Sequence, residues 1–321
     1  MVLIFSNEDD VTTDKVIQWL IYLKLTFIRI NNCDKIILDR LDLANSIVEL
    51  KIIKLNGVNE VFNINDIKFV WYRRGHLKIF HTGWGNNWES NIKKQIRAHL
   101  GNELNEIDDF LEYLIFNKPH INRFKFHRVN KLISLEIAKS VGLNIPETKI
   151  LKKFDAKLDK LFVTKSISES FVVQTEHGNF ATYTADISHV ENKIFFYSLI
   201  QKKINKEADI RVFYLLGEFY AMAIMSQKSP QTSTDFRLYD YKNPNRKFPF
   251  RLPTTIEDKI KNLMSKMTLE SGSLDLVLDT SGEYYFLEIN PIGQFGMTSY
   301  PCNYYLEKRV AEIIFTNLSK L

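Results

Sequence analysis

Glu288 and Asn290 stand two residues apart in "YYFLEINPIGQF", a run that is otherwise aromatic or aliphatic until Pro-Ile-Gly breaks it. On a strand, side chains two apart share a face, so an acid and an amide would project together while Leu287 and Ile289 point the other way. Two neighbouring oxygen donors suit a hard cation such as Mg2+, which takes its remaining ligands from water and phosphates. Asp275 lies upstream in "SLDLVLD", at an offset of 288 minus 275, thirteen residues. Two antiparallel strands turning at Ser281-Gly282 would bring it beside Glu288, gathering Asp275, Glu288 and Asn290 around one site. Taken alone, Glu288 and Asn290 fit the solvent face of an amphipathic strand equally well.

The elements that must hold these residues follow from periodicity. "MVLIFS" reads as a buried strand, "TTDKVIQWLIYLK" as a helix capped at Thr12 or Thr13, and "LTFIRI" as a second strand, an α/β opening. "IVELKIIKLNGVNEVF" reads as two strands around the turn Asn56-Gly57, followed by "IKFVWYRRG". From Trp88 to Asn117 the spacing of Ile92, Ile96, Leu100, Leu104, Ile107, Leu111 and Leu114 is helical. "NKPHINRF" interrupts it, which places a boundary near Lys118-Pro119. A helix in "RVNKLISLEIAKSVGL" closes at Gly142 and leads into the extended "NIPETKIL". "KLFVTKSISESFVVQ" reads as strand, Ser-rich turn and strand. "FFYSLIQKKI", "DIRVFYLLG" and "EFYAMAIMSQ" continue as strands, with a tight turn at Gly217. "SPQTSTDFRLYDYKNPNRKFPFRLP" reads as a loop-rich crossing. A helix from Thr255 to about Glu270, the pair of strands around Ser281-Gly282 and a closing helix from about Tyr304 complete the chain.

Composition excludes several classes. With 321 residues, 45% of them hydrophobic, the chain can bury a substantial core in two or three lobes. No apolar run has the length of a membrane span, and "MVLIFSNEDD" turns acidic where a signal peptide would stay apolar, so the expectation is a cytoplasmic protein with no membrane partner. The formal charge of +5 comes from basic residues dispersed among acids, without the clustered stripe of a nucleic-acid binder. Cys33 and Cys302 stand far apart and near no ligand motif, and both read as reduced, packed residues. His76, His81, His99, His120, His127, His177 and His189 show no metal-ligand spacing. Arg73 and Arg74 could bind a substrate carboxylate or tie lobes together, and the tryptophans of "HTGWGNNW" could pack inside or meet a partner.

"GSLDLVLDTSGEYYFLEINPIGQF", preceded by "DIRVFYLLGEFYAMAI", "TDFR" and "LFVTKS", resembles the C-terminal signature of ATP-grasp ligases. Within them the chain looks most like the peptide-modifying branch that makes graspetides, the microviridin-like peptides, and in particular the maturases of grasp-with-spasm systems. The resemblance runs from about Asn117 onward, and "VWYRRG" from Val70 to Gly75 resembles that branch's N-terminal lobe. It implies a mixed α/β fold in three parts: a pre-ATP-grasp domain over 1–117, a central lobe over 118–203 and a C-terminal lobe over 204–321.

The resemblance also implies roles. Lys165 would reach the phosphates of ATP, for which an ammonium point charge suffices. Gln201 and Lys202, with the backbone through Ile204, fall where the family's hinge receives adenine, and Asp209 is the acid of "DIR" near the nucleotide. Arg211 and Arg237 would face the γ-phosphate and the acyl phosphate, since phosphoryl transfer spreads charge over oxygens that fixed cations and metal must meet. Asp275, Glu288 and Asn290 would hold Mg2+. A plainer reading pairs Arg211 with Asp209 or Glu207 and leaves Lys165 a solvated strand-end lysine. "KSISESFVVQ" contains no glycine, unlike many phosphate loops of the family, so Ser166, Ser168, Ser170 and backbone N–H groups would form the cradle.

The implied activity is ATP- and Mg2+-dependent ligation. A Glu or Asp side chain of a ribosomally made precursor peptide is activated as an acyl phosphate, and a Thr or Ser hydroxyl or Lys amine of the same peptide closes an ester or amide ring. A leader segment of the precursor would dock near Lys193 to Tyr197, and a homodimer is allowed. The alternatives are a ligase adding a free amino acid to a protein or small molecule, and a nucleotide-binding scaffold without turnover.

Overall fold

A computed structural model describes residues 1–81, 90–124, 129–153, 162–168, 172–175, 178–181, 184–186, 194–228, 242 and 244–320. They divide into two units, Met1–His127 with Tyr305–Leu321, and Arg128–Tyr304.

In the first unit β1 (Val2–Ser6) is apolar without alternation, and all five residues are buried. Such a run belongs in a parallel sheet covered on both faces. After β1 come α1 (Val11–Tyr22), β2 (Phe27–Asn31), β3 (Lys35–Asp42), β4 (Ile47–Ile53), β5 (Asn59–Asn63), β6 (Phe69–Tyr72), α2 (Ser90–Phe116) and β7 (His120–Ile121). One parallel sheet has the order β2-β1-β6-β7, and β3-β4-β5 form an antiparallel meander. Leu3, Phe5, Val70, Tyr72, Leu111, Ile115 and Phe124 share one core.

The cap of α1 is Asp10, not Thr12 or Thr13: its Oδ1 accepts from Thr12 N at 3.1 Å and Thr13 N at 3.4 Å. A carboxylate accepting two orphan N–H groups is among the best N-caps. Arg73, buried, stands against the same carboxylate, with Nε 3.4 Å from Asp10 Oδ2. Burial alone would push the Asp10 carboxyl up, but the Arg73 charge and the bonds from Thr13 hold it below its ordinary value. Arg73 is therefore a buried support of the cap. Cys302 is buried as the sequence implies, whereas Cys33 is exposed because it falls in the turn between β2 and β3.

The second unit contains α3 (Lys131–Ser140), β8 (Thr148–Lys153), β9 (Phe162–Lys165), β10 (Val172–Thr175), β11 (Gly178–Ala181), β12 (Ala185–Asp186), β13 (Ile194–Lys202), β14 (Lys206–Leu215), β15 (Glu218–Met225), β16 (Arg246–Phe250), α4 (Thr254–Lys266), β17 (Ser271–Asp279), β18 (Tyr284–Asn290) and α5 (Gly296–Cys302). The last helix, α6 (Leu306–Leu318), returns to the first unit. Two larger sheets have the orders β12-β9-β13-β8 and β16-β15-β14-β17-β18. β14 and β15 join through Leu216 and Gly217, both at positive φ (49° and 95°), the geometry that matches hairpin twist.

Several elements differ from the sequence reading, β3, β16, α4 and α5 among them. β16 lies inside the stretch read as loop, at the sheet edge where Pro249 is tolerated. α4 stops at Lys266, short of Glu270, because Thr268 takes a positive φ and turns the chain into β17. α5, which includes Pro301, was not visible as a helical pattern. Among the described residues no helix is long and apolar enough to cross a membrane.

Candidate active site

Three adjacent strands of the five-stranded sheet, β14, β17 and the edge strand β18, set Arg211, Asp275 and Glu288 in one row. Arg211 on β14 lies opposite Asp275 on β17, and Asp275 lies opposite Glu288 on β18. Arg211 Nη1 donates to Asp275 Oδ1 at 2.6 Å, with the two side chains 12% and 10% exposed. Arg211 thus pairs with neither Asp209 nor Glu207 in the way the plainer reading supposed. Its Nε is buried and has no hydrogen-bond partner among the described residues. A buried guanidinium donor left unpaired is costly, and a phosphoryl oxygen would satisfy it.

Glu288 faces a cation that the sequence reading missed. Lys131, the first residue of α3, stands 3.2 Å from Glu288 Oε2, and its Nζ also donates to Ser166 O at 3.1 Å. A lysine in the first turn of a helix opposes the helix dipole, which was a signal available in "VNKLIS". Asn130 caps that helix through its side chain, accepting from Leu132 N and Ile133 N.

Asn290 lies one step further along the same face, opposite Ser273. Its Oδ1 accepts from Ile292 N at 3.1 Å and its backbone oxygen from Gly293 N at 3.1 Å, so the amide also builds the turn that ends β18. Gly293 is required by close approach: a Cβ there would lie 2.6 Å from Ser273 Cβ and 2.7 Å from its Oγ. Gly293→Ala should therefore lower stability by roughly 1–3 kcal/mol, as overpacking does. Thermal unfolding measures this, and adding Ser273→Gly, which removes both clashing atoms, should recover most of the loss.

Strict alternation fails once. Between Asp275 and Leu276 the register slips, so that Leu276 faces Phe286 and Leu287 is the extra residue of a bulge. Leu287 consequently lines a cleft with Asp209 and Val277, and does not lie wholly on the opposite face as the sequence reading had it.

Lys165, Gln201, Lys202, Ile204 and Asp209 all line that cleft, together with Pro146, Val163, Thr184, Lys203, Lys206, Val277 and Leu287. Lys165 ends β9, which pairs with β13 at Leu199. Gln201 is buried, and its Nε2 donates to Thr148 Oγ1 at 3.0 Å. Lys202 N donates to Glu147 O at 2.9 Å. Asp209 accepts from Lys206 Nζ at 2.8 and 3.0 Å and from Ser226 Oγ at 2.5 Å.

Asp275, Glu288 and Asn290 form an all-oxygen set on adjacent strands, the donor chemistry Mg2+ prefers. Cationic Arg211 and Lys131 beside the two carboxylates make the neighbourhood suitable for phosphate as well as metal. By contrast, the ligand atoms of Glu8, Cys33 and Asp34 lie within 4.8 Å of one another, but Lys54 is paired to Asp34 at 3.1 Å. Desolvation, then the hydrogen bond and charge of Glu8, pushes the Cys33 thiol up to about 11. A thiol protonated at neutral pH is a poor ligand and nucleophile.

Arg237, Ser170, Lys193, Trp84 and Trp88 lie outside the described residues. Phe196 and Tyr197 are described. They fall where the β13–β8 register shifts between Ile194 and Ser198, and Phe196 is 85% exposed.

No protein-family model matches the chain, and no curated protein matches it. Solved structures do. The chain is similar to the macrocyclase MdnC from Microcystis aeruginosa bound with precursor peptide MdnA, at 20% identity and a TM-score of 0.71, covering 98% of this chain and 100% of that one. It is similar to a RiPP-associated ATP-grasp ligase of Chryseobacterium gregarium in complex with ADP and a leader and core peptide, at 23% identity and a TM-score of 0.70, covering 97% and 93%. It is also similar to the ATP-grasp ligase PsnB complexed with a phosphomimetic variant of minimal precursor, Mg and ADP, at 12% identity and a TM-score of 0.65, covering 99% and 98%. Such likeness establishes the fold.

Proposed function

Proceeding from a chain with the ATP-grasp fold, we propose that it is an ATP-dependent ligase that closes ester or amide rings in a ribosomally made precursor peptide. The observation that carries this is the row Arg211, Asp275 and Glu288 in the same unit as the cleft lined by Lys165, Gln201 and Asp209. In this reading 1–117 is the pre-ATP-grasp domain, and 118–203 and 204–321 are the lobes that clasp the nucleotide. The cleft walls support it, since Lys165 and Gln201 come from one lobe and Asp209, Val277 and Leu287 from the other.

The chemistry has two steps. A Glu or Asp carboxylate of the peptide attacks the γ-phosphorus of ATP, the bond to the β-phosphate oxygen breaks, and ADP leaves. A Thr or Ser hydroxyl or Lys amine then attacks the acyl carbon, phosphate leaves with the bonding pair, and the nucleophile loses its proton, a net loss of one water per ring. Arg211 would hold the transferring phosphoryl oxygens, with Arg237 as its partner and Lys165 and Lys131 on the phosphates. Asp275, Glu288 and Asn290 would bind Mg2+, which when bound neutralises phosphate charge. The peptide must be held so that its own nucleophile outcompetes water, an orientation effect worth several kcal/mol.

The solved structures named above contain precursor peptides, and those of PsnB and the Chryseobacterium ligase contain ADP. These complexes support a peptide partner here. Exposed Phe196 and Tyr197, in T-shaped contact with centroids 5.7 Å apart, offer an apolar surface for the leader. Phe196→Ser should then weaken precursor affinity without changing ATP hydrolysis in the absence of peptide. In this reading the reaction takes place in the cytoplasm, where the precursor is translated.

ADP release tests the proposal. It should require Mg2+ and rise with the precursor peptide but not with free glutamate. Stimulation by a free amino acid would reassign the protein to ligases that add one. Nucleotide binding without any turnover would leave a scaffold.

A further inference from the structure

α2 is built in two halves. Toward its C-terminus it belongs to the core of the first unit, with Leu111, Ile115 and Phe116 buried and Ile107 and Leu114 packed beside them. Ile92, Ile96, Leu100 and Leu104 continue the same apolar stripe toward the N-terminus, along about 22 Å of helix, but are not part of that core. Ile92 is 48% exposed and the other three are half-buried.

The charges on α2 are set against a helix that stands alone. Lys93, Lys94 and Arg97 lie near the N-terminus and Glu103, Glu106 and Asp109 follow toward the C-terminus, the reverse of what the helix dipole favours. Lys93 and Lys94 each stand one turn from Arg97, and Glu103 stands one turn from Glu106, so surface neighbours repel. No Lys or Arg of α2 has an acid of α2 three or four residues away. Gly101 adds a further cost, since glycine is unfavourable in a helix interior. A Cβ there would meet nothing within 4 Å, so no contact inside the chain calls for it.

Each of these features becomes favourable in an antiparallel pair. About a two-fold axis at Leu100, Arg97 of one copy lies level with Glu103 of the other, and Lys94 level with Glu106. The basic end then meets the acidic end twice, the two dipoles oppose, the stripes cover each other, and Gly101 leaves room for a backbone to approach. A partner of one charge would satisfy one end and repel the other, which selects a second copy. We infer that the N-terminal half of α2 is a docking surface for a second copy of this chain, bound antiparallel in a two-fold dimer.

Sedimentation velocity of the full chain over a concentration series tests this. The unaltered protein should dimerise. Lys94→Glu with Arg97→Glu places acid at both ends of the surface, and Glu103→Lys with Glu106→Lys places base at both ends, all four positions being exposed. Each double variant alone should dimerise at least roughly tenfold more weakly, because like charges now face each other. An equimolar mixture of the two should form a heterodimer, which also shows that both are folded. A monomeric unaltered protein would overturn the inference, as would double variants that dimerise like the parent or a mixture that stays monomeric. A monomer whose affinity for precursor peptide falls with the same substitutions would overturn it too and give the surface to the peptide.

Discussion

Glu288→Gln should lower ATP-dependent ring formation by roughly a thousandfold or more if Glu288 holds Mg2+ as proposed, because the metal's stabilisation of transferring charge is worth several kcal/mol and each 1.36 kcal/mol is a factor of ten. The substitution keeps the shape of the side chain and replaces a charged oxygen donor by an amide. Stability should change little. The partner of Glu288, Lys131, is 22% exposed against 24% for Glu288, and a partly exposed pair of that kind contributes about 0–1 kcal/mol. The expected result is a folded, nucleotide-binding protein with almost no turnover, seen by steady-state kinetics beside thermal unfolding. Full activity in Glu288→Gln would remove Glu288 from the metal site.

Arg211→Met should damage the fold as well as the reaction. It strands the Asp275 carboxylate in a position 10% exposed, and removing one partner of a buried pair destabilises by about 3–5 kcal/mol. The double variant Arg211→Met with Asp275→Leu replaces the pair by apolar groups and should regain most of that stability, since buried pairs exchanged whole are often neutral. Activity should not return, because the proposed phosphate-facing cation and a proposed metal ligand are both gone. Chemical denaturation of the two single variants and the double variant yields the coupling energy. A small loss in Arg211→Met, or an active double variant, would count against the placement of Arg211 at the transferring phosphate.

The hairpin that pairs Asp275 with Glu288 was legible because both strands and their turn are local in sequence, and a two-stranded register follows from the spacing around Ser281-Gly282. Gathering Lys165, Gln201, Lys202, Ile204 and Asp209 on one cleft depended on resemblance, since periodicity alone cannot bring β9, β13 and β14 together. The bulge at Leu287 was not legible. One extra residue exchanges the faces of a strand, and nothing in "YYFLEIN" marks where the partner strand will slip. Lys131 and Lys206 were missed for a related reason. Each has its meaning through a carboxylate that the fold places within reach, and among many lysines only Lys131 carried a local sign, its position against the helix dipole. β3 was passed over because its apolar and charged residues do not alternate cleanly, and its burial is correspondingly mixed.

Intact-mass spectrometry of a short precursor peptide rich in Thr and in Glu or Asp, incubated with the protein, ATP and Mg2+, decides whether the protein closes rings. The expected result is loss of whole water units that requires ATP and disappears with Glu288→Gln. An unchanged peptide mass, or a gain equal to an added amino acid, would contradict it.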